Sequence, residues 1–375
     1  MKVNWKKIVW GVIAILAIIA VISGNIYRQR EQKSDKPVVK IGVTMPLTGA
    51  MAKLGQEGKK AIDLRISQIP ENSKYRYKVI YEDDQLQPSK EFTNAHKLIS
   101  FDNVDVILST FAGSGPAIAD LAKKKKVIHF DHTWTDKIAK SSPYTFLHEI
   151  IPADTVKLWL DIAYQRGYRR ISIINNDVHA GGEYVISEVK RLLPDYPGMT
   201  IVDVERVPLM DANLRVVVEK MKTKNPDLYL SVLLAPTTDA WAKILKEQDI
   251  KTPASSIDLF CNATDISLFN GGFSTSPALP DPKFIEDYIA TYGKKPIYLT
   301  TPFMYDTINI LIKAYEKYDT KPTGDQISRD LLNLKDYSGI FDQISVDEYG
   351  MFHNTPTAFD IKEGQFVPLE KEEIK

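Results

Sequence analysis

The sequence predicts an α/β fold in which parallel sheets are covered by helices on both faces. After Val38, short apolar runs alternate with amphipathic helical segments, and this alternation is typical of βαβ units. The apolar runs are almost continuous, as expected for strands that are buried on both faces. The chain has 375 residues, which is enough for two domains with separate cores.

Residues 1–37 are expected to lie outside this fold. Lys2, Lys6 and Lys7 precede an uncharged run of about 16 residues, IVWGVIAILAIIAVIS, and a polar linker follows it. The run predicts an N-terminal hydrophobic helix, which either anchors the chain in the cytoplasmic membrane or is cleaved as a signal. In both cases the lysines stay inside, and the rest of the chain is periplasmic or otherwise extracytoplasmic.

Composition excludes several classes of protein. Lysine plus arginine and aspartate plus glutamate both number 48, so no basic field is available to hold nucleic acid. Cys261 is the one cysteine, which excludes an internal disulfide and a cysteine-based metal cluster. No G-x-S-x-G or H-E-x-x-H motif is present. The sequence therefore predicts no enzyme, no cofactor and no metal.

Two sets of strand–helix units follow one another along the chain. The strand-like runs of the first set are VKIGVTM, YKVIYEDD, VDVILST and KVIHFDH, and those of the second are RISIINND, TIVDVERVP, DLYLSVLLA and SSIDLFCN. The 3.6-residue period of the first helix places six residues on one face. These are Leu54, Gly58, Ala61, Ile62, Ile66 and Ile69.

The pattern changes after the second set. Three helical segments begin at Asp281, Thr301 and Thr323, and the two final segments, YSGIFDQISVDEYGMF and PTAFDIKEGQFVPL, read as hairpins. The two βα sets indicate two α/β lobes, and the chain is expected to pass from one to the other between Phe146 and Pro152.

Ligands of open parallel sheets bind at the carboxyl ends of the strands, so the turns after the strands are the candidate sites. In AGSGPAIADL, Pro116 suits the start of a helix whose N-cap is Ser114 or Gly115. The free N–H groups there would suit one carboxylate. The same residues would also serve as an ordinary helix cap.

The stretch HFDHTWT has two interpretations. His129, Asp131 and His132 are of the residue types that form metal sites. Strand alternation, however, places His129 and Asp131 on one face and turns His132 away, which argues against convergence on a metal. Trp134 is either a wall of a small-molecule pocket or part of the core.

Three further features each have two interpretations. His179, in a Gly-rich turn, contacts a ligand or is solvated. Asp258 lies in an apolar run, where a carboxylate needs a partner; the partner is a ligand ammonium or a basic residue of the protein. Lys123 to Lys126 close a helix, where cations suit the dipole, and form a solvated face or a docking patch.

Four stretches, IGVTMPLTGAMAKLGQEGKKAIDL, YEDDQLQPSKEFTNAHKLI, PFMYDTINILIKAYEK and YSGIFDQISVDEYGMF, together resemble the branched-chain amino-acid binding proteins. These are type I periplasmic solute-binding proteins of ABC transporters, and the resemblance covers about residues 38 to 370. It implies two Rossmann-like lobes joined by three crossovers, which close on the ligand like a hinged clamp. The implied lobes are residues 38–147 with 275–350, and residues 148–274 with 351–375.

The resemblance also implies positions that bind the solute. In the family, hydroxyl and N–H groups after the third and fourth strands hold an amino-acid carboxylate, and an acid of the second lobe takes the ammonium. This chain departs from the family with DHTWT in place of a small-residue turn, and with His179 where a tyrosine is common. The implied residues are Leu54, Thr110, Ser114, His132, Thr133, Trp134, His179 and Asp258.

Three functions follow from these observations. The first is a solute-binding protein that delivers an amino acid, or a related small carboxylate or amide, to an ABC permease. The second is a membrane-anchored sensor of the same fold. Against this function, the segment before the hydrophobic run has only a few residues and is too short to be a signalling domain. The third is a hydrolase, which the missing catalytic motifs disfavour.

Overall fold

The computed structural model describes most of the chain after the N-terminal segment. The described residues are 36–110, 113–132, 138–148, 152–177, 180–208, 214–257, 263–277, 280–297 and 300–369. The predicted hydrophobic helix and its linker therefore lie outside the described residues. Within the described ranges, no helix is long and apolar enough to cross a membrane.

The first five strands form a parallel sheet, called the first sheet below. They are β1 (Val38–Met45), β2 (Arg76–Asp83), β3 (Val106–Thr110), β4 (Ile128–His132) and β5 (Thr145–Leu147). Their spatial order is β2-β1-β3-β4-β5. Both β3 and β4 are buried at every residue, which agrees with the continuous apolar character of their sequences.

Three helices connect these strands: α1 (Ala52–Ser67), α2 (Pro88–Ser100) and α3 (Gly115–Lys125). Both α2 and α3 have a proline in the first turn, where no intrahelical N–H bond is lost. Lys126 ends α3 in the left-handed conformation with φ of 56°. The lysines of its last turn are exposed, as expected for a solvated helix end.

The second set of units begins the second sheet. Its strands are β6 (Arg170–Asn176), β7 (Thr200–Val207), β8 (Leu228–Val232), β9 (Ala254–Ile257) and β10 (Phe273–Pro277). The helices of this set are α4 (Pro152–Gln165), α5 (Ala180–Leu192), α6 (Leu214–Thr223) and α7 (Thr237–Glu247). All neighbouring strands of this set are parallel.

The chain then returns to the first sheet. Helices α8 (Pro282–Tyr292), α9 (Thr301–Glu316) and α10 (Gly324–Leu332) precede three short antiparallel strands, β11 (Tyr337–Gly339), β12 (Asp342–Val346) and β13 (Phe352–His353). Residues of α9 and β13 share one apolar core with β1, β3 and β4. Helix α9 approaches α1 closely at Gly58, where an added Cβ would lie 3.1 Å from Thr300 and 3.3 Å from Met304.

The last two strands complete the second sheet. They are β14 (Pro356–Lys362) and β15 (Gln365–Pro368), and the order of the second sheet in the described part of the chain is β15-β14-β10-β9-β8-β6-β7. The chain thus passes between the sheets after β5, after β10 and after β13. The predicted α/β class with two Rossmann-like sheets and three crossovers is confirmed, and the eight predicted strands and both predicted hairpins are present. Strands β5 and β10 were not predicted from the sequence.

Candidate functional site

In both sheets the strand order reverses between the strand that begins the set and the third strand of the set, and this position is where a ligand is expected. The order reverses between β1 and β3 in the first sheet, and between β6 and β8 in the second. In open sheets of this kind, ligands bind outside the carboxyl ends of the strands at the point of reversal. The turns after β1, β3, β6 and β8 therefore form the candidate site.

The turn after β1 reaches across to the second sheet. Met51 and Leu54 are buried in the same apolar cluster as Trp159 and Leu234, which belong to the second set of units. A cavity of about 40 Å³ lies between the turns after β1 and β8 and has room for about one water molecule. Its lining residues are Ala50, Met51, Lys53, Leu54, Leu234, Ala235 and Ile297. The carboxyl ends of the two sheets thus face each other.

Asp83, at the end of β2, fixes the turn after β1. Its Oδ1 accepts hydrogen bonds from the N–H groups of Leu47 (2.9 Å) and Thr48 (3.2 Å), and its Oδ2 accepts one from Thr48 Oγ1 (2.5 Å). These bonds satisfy backbone groups that a tight turn leaves without a strand partner. The Pro-Leu-Thr-Gly turn is therefore held by the protein itself.

A carboxylate of the chain lies in the turn after β3. The Glu91 carboxylate accepts hydrogen bonds from the N–H groups of Thr110 (3.1 Å) and Ser114 (2.9 Å), and from the Ser114 hydroxyl. Glu91 is 1% exposed. The pKa of its carboxyl is raised to about 7, with burial as the largest cause. The charge of Asp84 also raises this pKa, whereas the hydrogen bonds from Ser114 and Thr110 lower it.

A second carboxylate lies at the start of α3. An added Cβ on Gly115 would lie 2.2 Å from Asp131 Oδ2, so only glycine allows this close approach. Asp131 Oδ2 also accepts a hydrogen bond from Ser109 Oγ (2.9 Å), and Ser109 Oγ lies 2.7 Å from His129 Nε2. His129 and Asp131 thus share one face of β4, as strand alternation predicts. Ser114 is the N-cap residue, and its side chain makes no capping hydrogen bond to the helix.

His132 points to the other side of β4, towards α9. Its Nε2 lies 3.4 Å from Thr307 Oγ1, and the same hydroxyl lies 2.9 Å from His148 Nδ1. Burial lowers the pKa of His132 to about 3 and that of His148 well below its usual value. Both rings are therefore neutral at physiological pH. His148 Nε2 also lies 3.7 Å from Asp306 Oδ2, and burial raises the pKa of Asp306 to about 6.

Asn176 organises the carboxyl ends of the second sheet. Its Oδ1 accepts a hydrogen bond from Leu234 N–H (2.7 Å), and its Nδ2 donates to the carbonyl oxygens of Val207 and Pro208 (both 3.3 Å). The side chain is fully buried. One amide therefore ties together the ends of β6, β7 and β8, and fixes the turn after β8 that lines the cavity.

The structure describes four of the eight residues that the resemblance implies. Leu54 lines the cavity, Thr110 and Ser114 contact Glu91, and His132 lies against α9. Thr133, Trp134, His179 and Asp258 lie outside the described residues. Among the residues that are described, no group of three or more His, Cys, Asp or Glu side chains could hold a metal ion.

The role of Glu91 was not predicted, although the sequence contains a signal for it. Glu91, Ala95, Leu98 and Ile99 form the buried face of α2, at the i, i+4, i+7 and i+8 spacing of an amphipathic helix. An acidic residue on such a face requires a buried partner. The hydroxyl and N–H groups of the next turn, after β3, provide it.

Known proteins share the family and the fold of this chain. The family described as periplasmic binding protein matches residues 38–365, and no curated protein matches the sequence. A solute-binding protein of an ABC transporter from Rhodopseudomonas palustris, in complex with 3,4-dihydroxybenzoic acid, has 21% identity and a TM-score of 0.78 over 88% of this chain and 96% of that chain.

Two amino-acid binding proteins are similar to the same extent. A leucine-binding protein of Thermotoga maritima has 18% identity and a TM-score of 0.77, over 88% of this chain and 98% of that chain. The substrate-binding protein of a branched-chain amino-acid transporter from Streptococcus pneumoniae, in complex with isoleucine, has 17% identity and a TM-score of 0.77, over 88% of this chain and 99% of that chain. These identities show a common fold, and the family match over residues 38–365 shows that this chain belongs to the periplasmic binding protein family.

Proposed function

We propose that the chain is an extracytoplasmic receptor that captures a small polar solute between two lobes and delivers it, chemically unchanged, to an ABC permease. The observation that carries this proposal is the placement of the turns after β1 and β8, which face each other across a shared cavity. Two sheets that meet at their points of reversal can enclose a solute from both sides. Family membership supports the same role.

The lobes of this receptor are proposed with the boundaries that the resemblance implies, which lie a few residues before the passages of the chain after β10 and β13. The first lobe comprises residues 38–147 with 275–350, and the second comprises residues 148–274 with 351–375. The cleft between them would be lined by the eight residues named from the resemblance, including Asp258 for a solute ammonium. The hydrophobic segment within residues 1–37 would anchor the receptor to the outer face of the cytoplasmic membrane, or export it.

The solute is proposed to be an amino acid or a related small carboxylate or amide. Two proteins of the same fold were solved with isoleucine and with 3,4-dihydroxybenzoic acid, which are both small molecules with a carboxyl group. The cavity of about 40 Å³ is smaller than either molecule, and we propose that the lobes separate to admit the solute and then close on it.

The test is a thermal-shift screen of the protein from Val38 onward against amino acids, amino-acid amides and small organic acids. A solute that binds the folded protein alone raises the melting temperature by mass action. X-ray scattering with and without a confirmed solute should then show the more compact form with solute bound. Identical scattering curves at saturation would contradict the clamp, and chemical conversion of the solute would contradict the receptor function.

A further inference from the structure

We infer that the side chain of Glu91 occupies the position at the turn after β3 where the carboxylate of a solute would otherwise bind. The cleft would therefore select solutes that present an uncharged polar group, such as an amide, to this turn. The inference rests on the proposed function, because it concerns the selectivity of the same cleft. The proposed function allows both small carboxylic acids and amides as solutes, and the inference favours the amides.

The hydrogen bonds of the turn carry the inference. Thr110 N–H donates to Glu91 Oε1, while the N–H and hydroxyl of Ser114 both donate to Oε2. These are the groups that a solute carboxylate would need at this turn. Each N–H group has one proton to donate, and both protons are directed at Glu91.

The acidic side chains at the start of α3 support the inference independently. Asp131 Oδ2 lies against Gly115, the first residue of this helix, and Glu91 contacts Ser114, its N-cap. Both carboxylates are buried. The partial positive charge of a helix N-terminus amounts to about half an elementary charge. The two acidic side chains therefore oppose the partial positive charge that would otherwise attract an anionic solute.

Above a pH of about 7, where Glu91 is ionised, a solute carboxylate beside it would also be repelled. Two carboxylates that share a buried site cannot both ionise readily, because the low local dielectric strengthens their repulsion. Glu91 is enclosed between α2 and the turn after β3, with 1% of its surface exposed, so water cannot screen its charge. An amide in the same place carries no net charge and meets no such repulsion.

The first experiment uses chemical rescue. Glu91→Ala removes a methylene and a carboxylate, which together have the size of an acetate ion, and it frees the donors of Thr110 and Ser114. We expect sodium acetate at about 100 mM to raise the melting temperature of this variant by about 2 °C or more above its value in sodium chloride of equal ionic strength. Wild type and Glu286→Ala, which removes an exposed helical carboxylate, should show no difference between the salts.

The same experiment can overturn the inference. An equal response of all three proteins to acetate would show that the vacated donors do not form a carboxylate site. If Glu91→Ala does not fold in chloride, refolding in acetate becomes the measurement, and failure to fold in both salts would overturn the inference as well. None of these outcomes depends on the solute screen, so the inference and the proposed function can fail separately.

The second experiment measures selectivity with matched acid and amide pairs: leucine with leucinamide, and 3,4-dihydroxybenzoic acid with its amide. For the pair that binds, wild type should favour the amide. Measured at pH 8, above the pKa of about 7 of Glu91, Glu91→Gln removes the charge at almost constant volume and should shift the ratio of acid affinity to amide affinity by about tenfold or more towards the acid. A ratio unchanged between the two proteins would overturn the inference, whereas the absence of any binding would count against the proposed function.

Discussion

Substituting Glu91 by glutamine should change how the stability of the protein depends on pH. The pKa of this carboxyl is raised from 4.5 to about 7 in the folded protein, with burial as the largest cause. A carboxyl with a raised pKa holds its proton more tightly when folded, so its stabilising contribution is complete below pH 4.5 and is lost as the pH rises to about 7. At about 1.36 kcal/mol for each pH unit, the loss is about 3 kcal/mol. Glutamine cannot ionise and suffers no such loss.

The measurement is urea unfolding of wild type and Glu91→Gln between pH 4.5 and pH 8, with Glu286→Gln as the control for an exposed glutamate. The free energy of unfolding of Glu91→Gln, relative to wild type, should rise by about 3 kcal/mol across this range. Asp306, whose pKa is also raised by burial, titrates in all three proteins and cancels in the comparison. Parallel pH profiles for wild type and Glu91→Gln would refute the reasoning.

Four further substitutions test other parts of the structure. Gly115→Ala should cost about 1–3 kcal/mol in chemical unfolding, because the new Cβ would lie 2.2 Å from Asp131 Oδ2; unchanged stability would mean that the carboxylate is not held there. Leu54→Ala should cost at least about 2 kcal/mol and, in X-ray scattering, enlarge the solute-free protein, because Leu54 packs into the cluster of the second sheet; an unchanged scattering curve would contradict this. The carboxylates of Asp154 and Asp347 raise the pKa of His353, so His353→Gln should lower the melting temperature slightly below pH 6.5 and have no effect at pH 8.5; an equal effect at both values would exclude the ion pairs as its cause. Asp258→Asn should lower the affinity for a confirmed amino-acid solute, measured by calorimetry, by about one to two orders of magnitude and leave the melting temperature unchanged. Lost stability at constant affinity would instead indicate that Asp258 pairs with a residue of the protein.

Much of the fold is predictable because burial shapes the sequence. Strands buried on both faces, such as Val106–Thr110, must be apolar throughout, and the helices between them carry one apolar face. The two missed strands lack these signals. Thr145–Leu147 has three residues, which is too short to show a period, and Phe273–Pro277 has the hydroxyl-rich sequence FSTSP, which reads as a loop.

The candidate site is less predictable, because its contacts join residues that are distant in sequence. The alternation of β4 correctly separated His132 from Asp131, since that depends on neighbouring residues alone. The contact between Glu91 and Ser114 joins residues 23 positions apart, and the packing of Leu54 against Trp159 joins the two sheets. Such pairs depend on how the helices and sheets are arranged, which local periodicity does not specify.

The three passages of the chain between the sheets also constrain how the protein can be made. A ribosome that has synthesised the chain as far as Pro277 has produced both sets of parallel strands, but not α9, which fills the core of the first sheet, nor β14, which pairs with β10. The core of the first sheet therefore waits for the C-terminal quarter of the chain, whereas, among the described residues, the clusters of the second sheet take only Ala358 and Ile361 from that quarter as buried members. The first sheet of a nascent chain would remain incompletely folded until synthesis is nearly finished, and a premature stop before residue 300 should leave this sheet without a stable core.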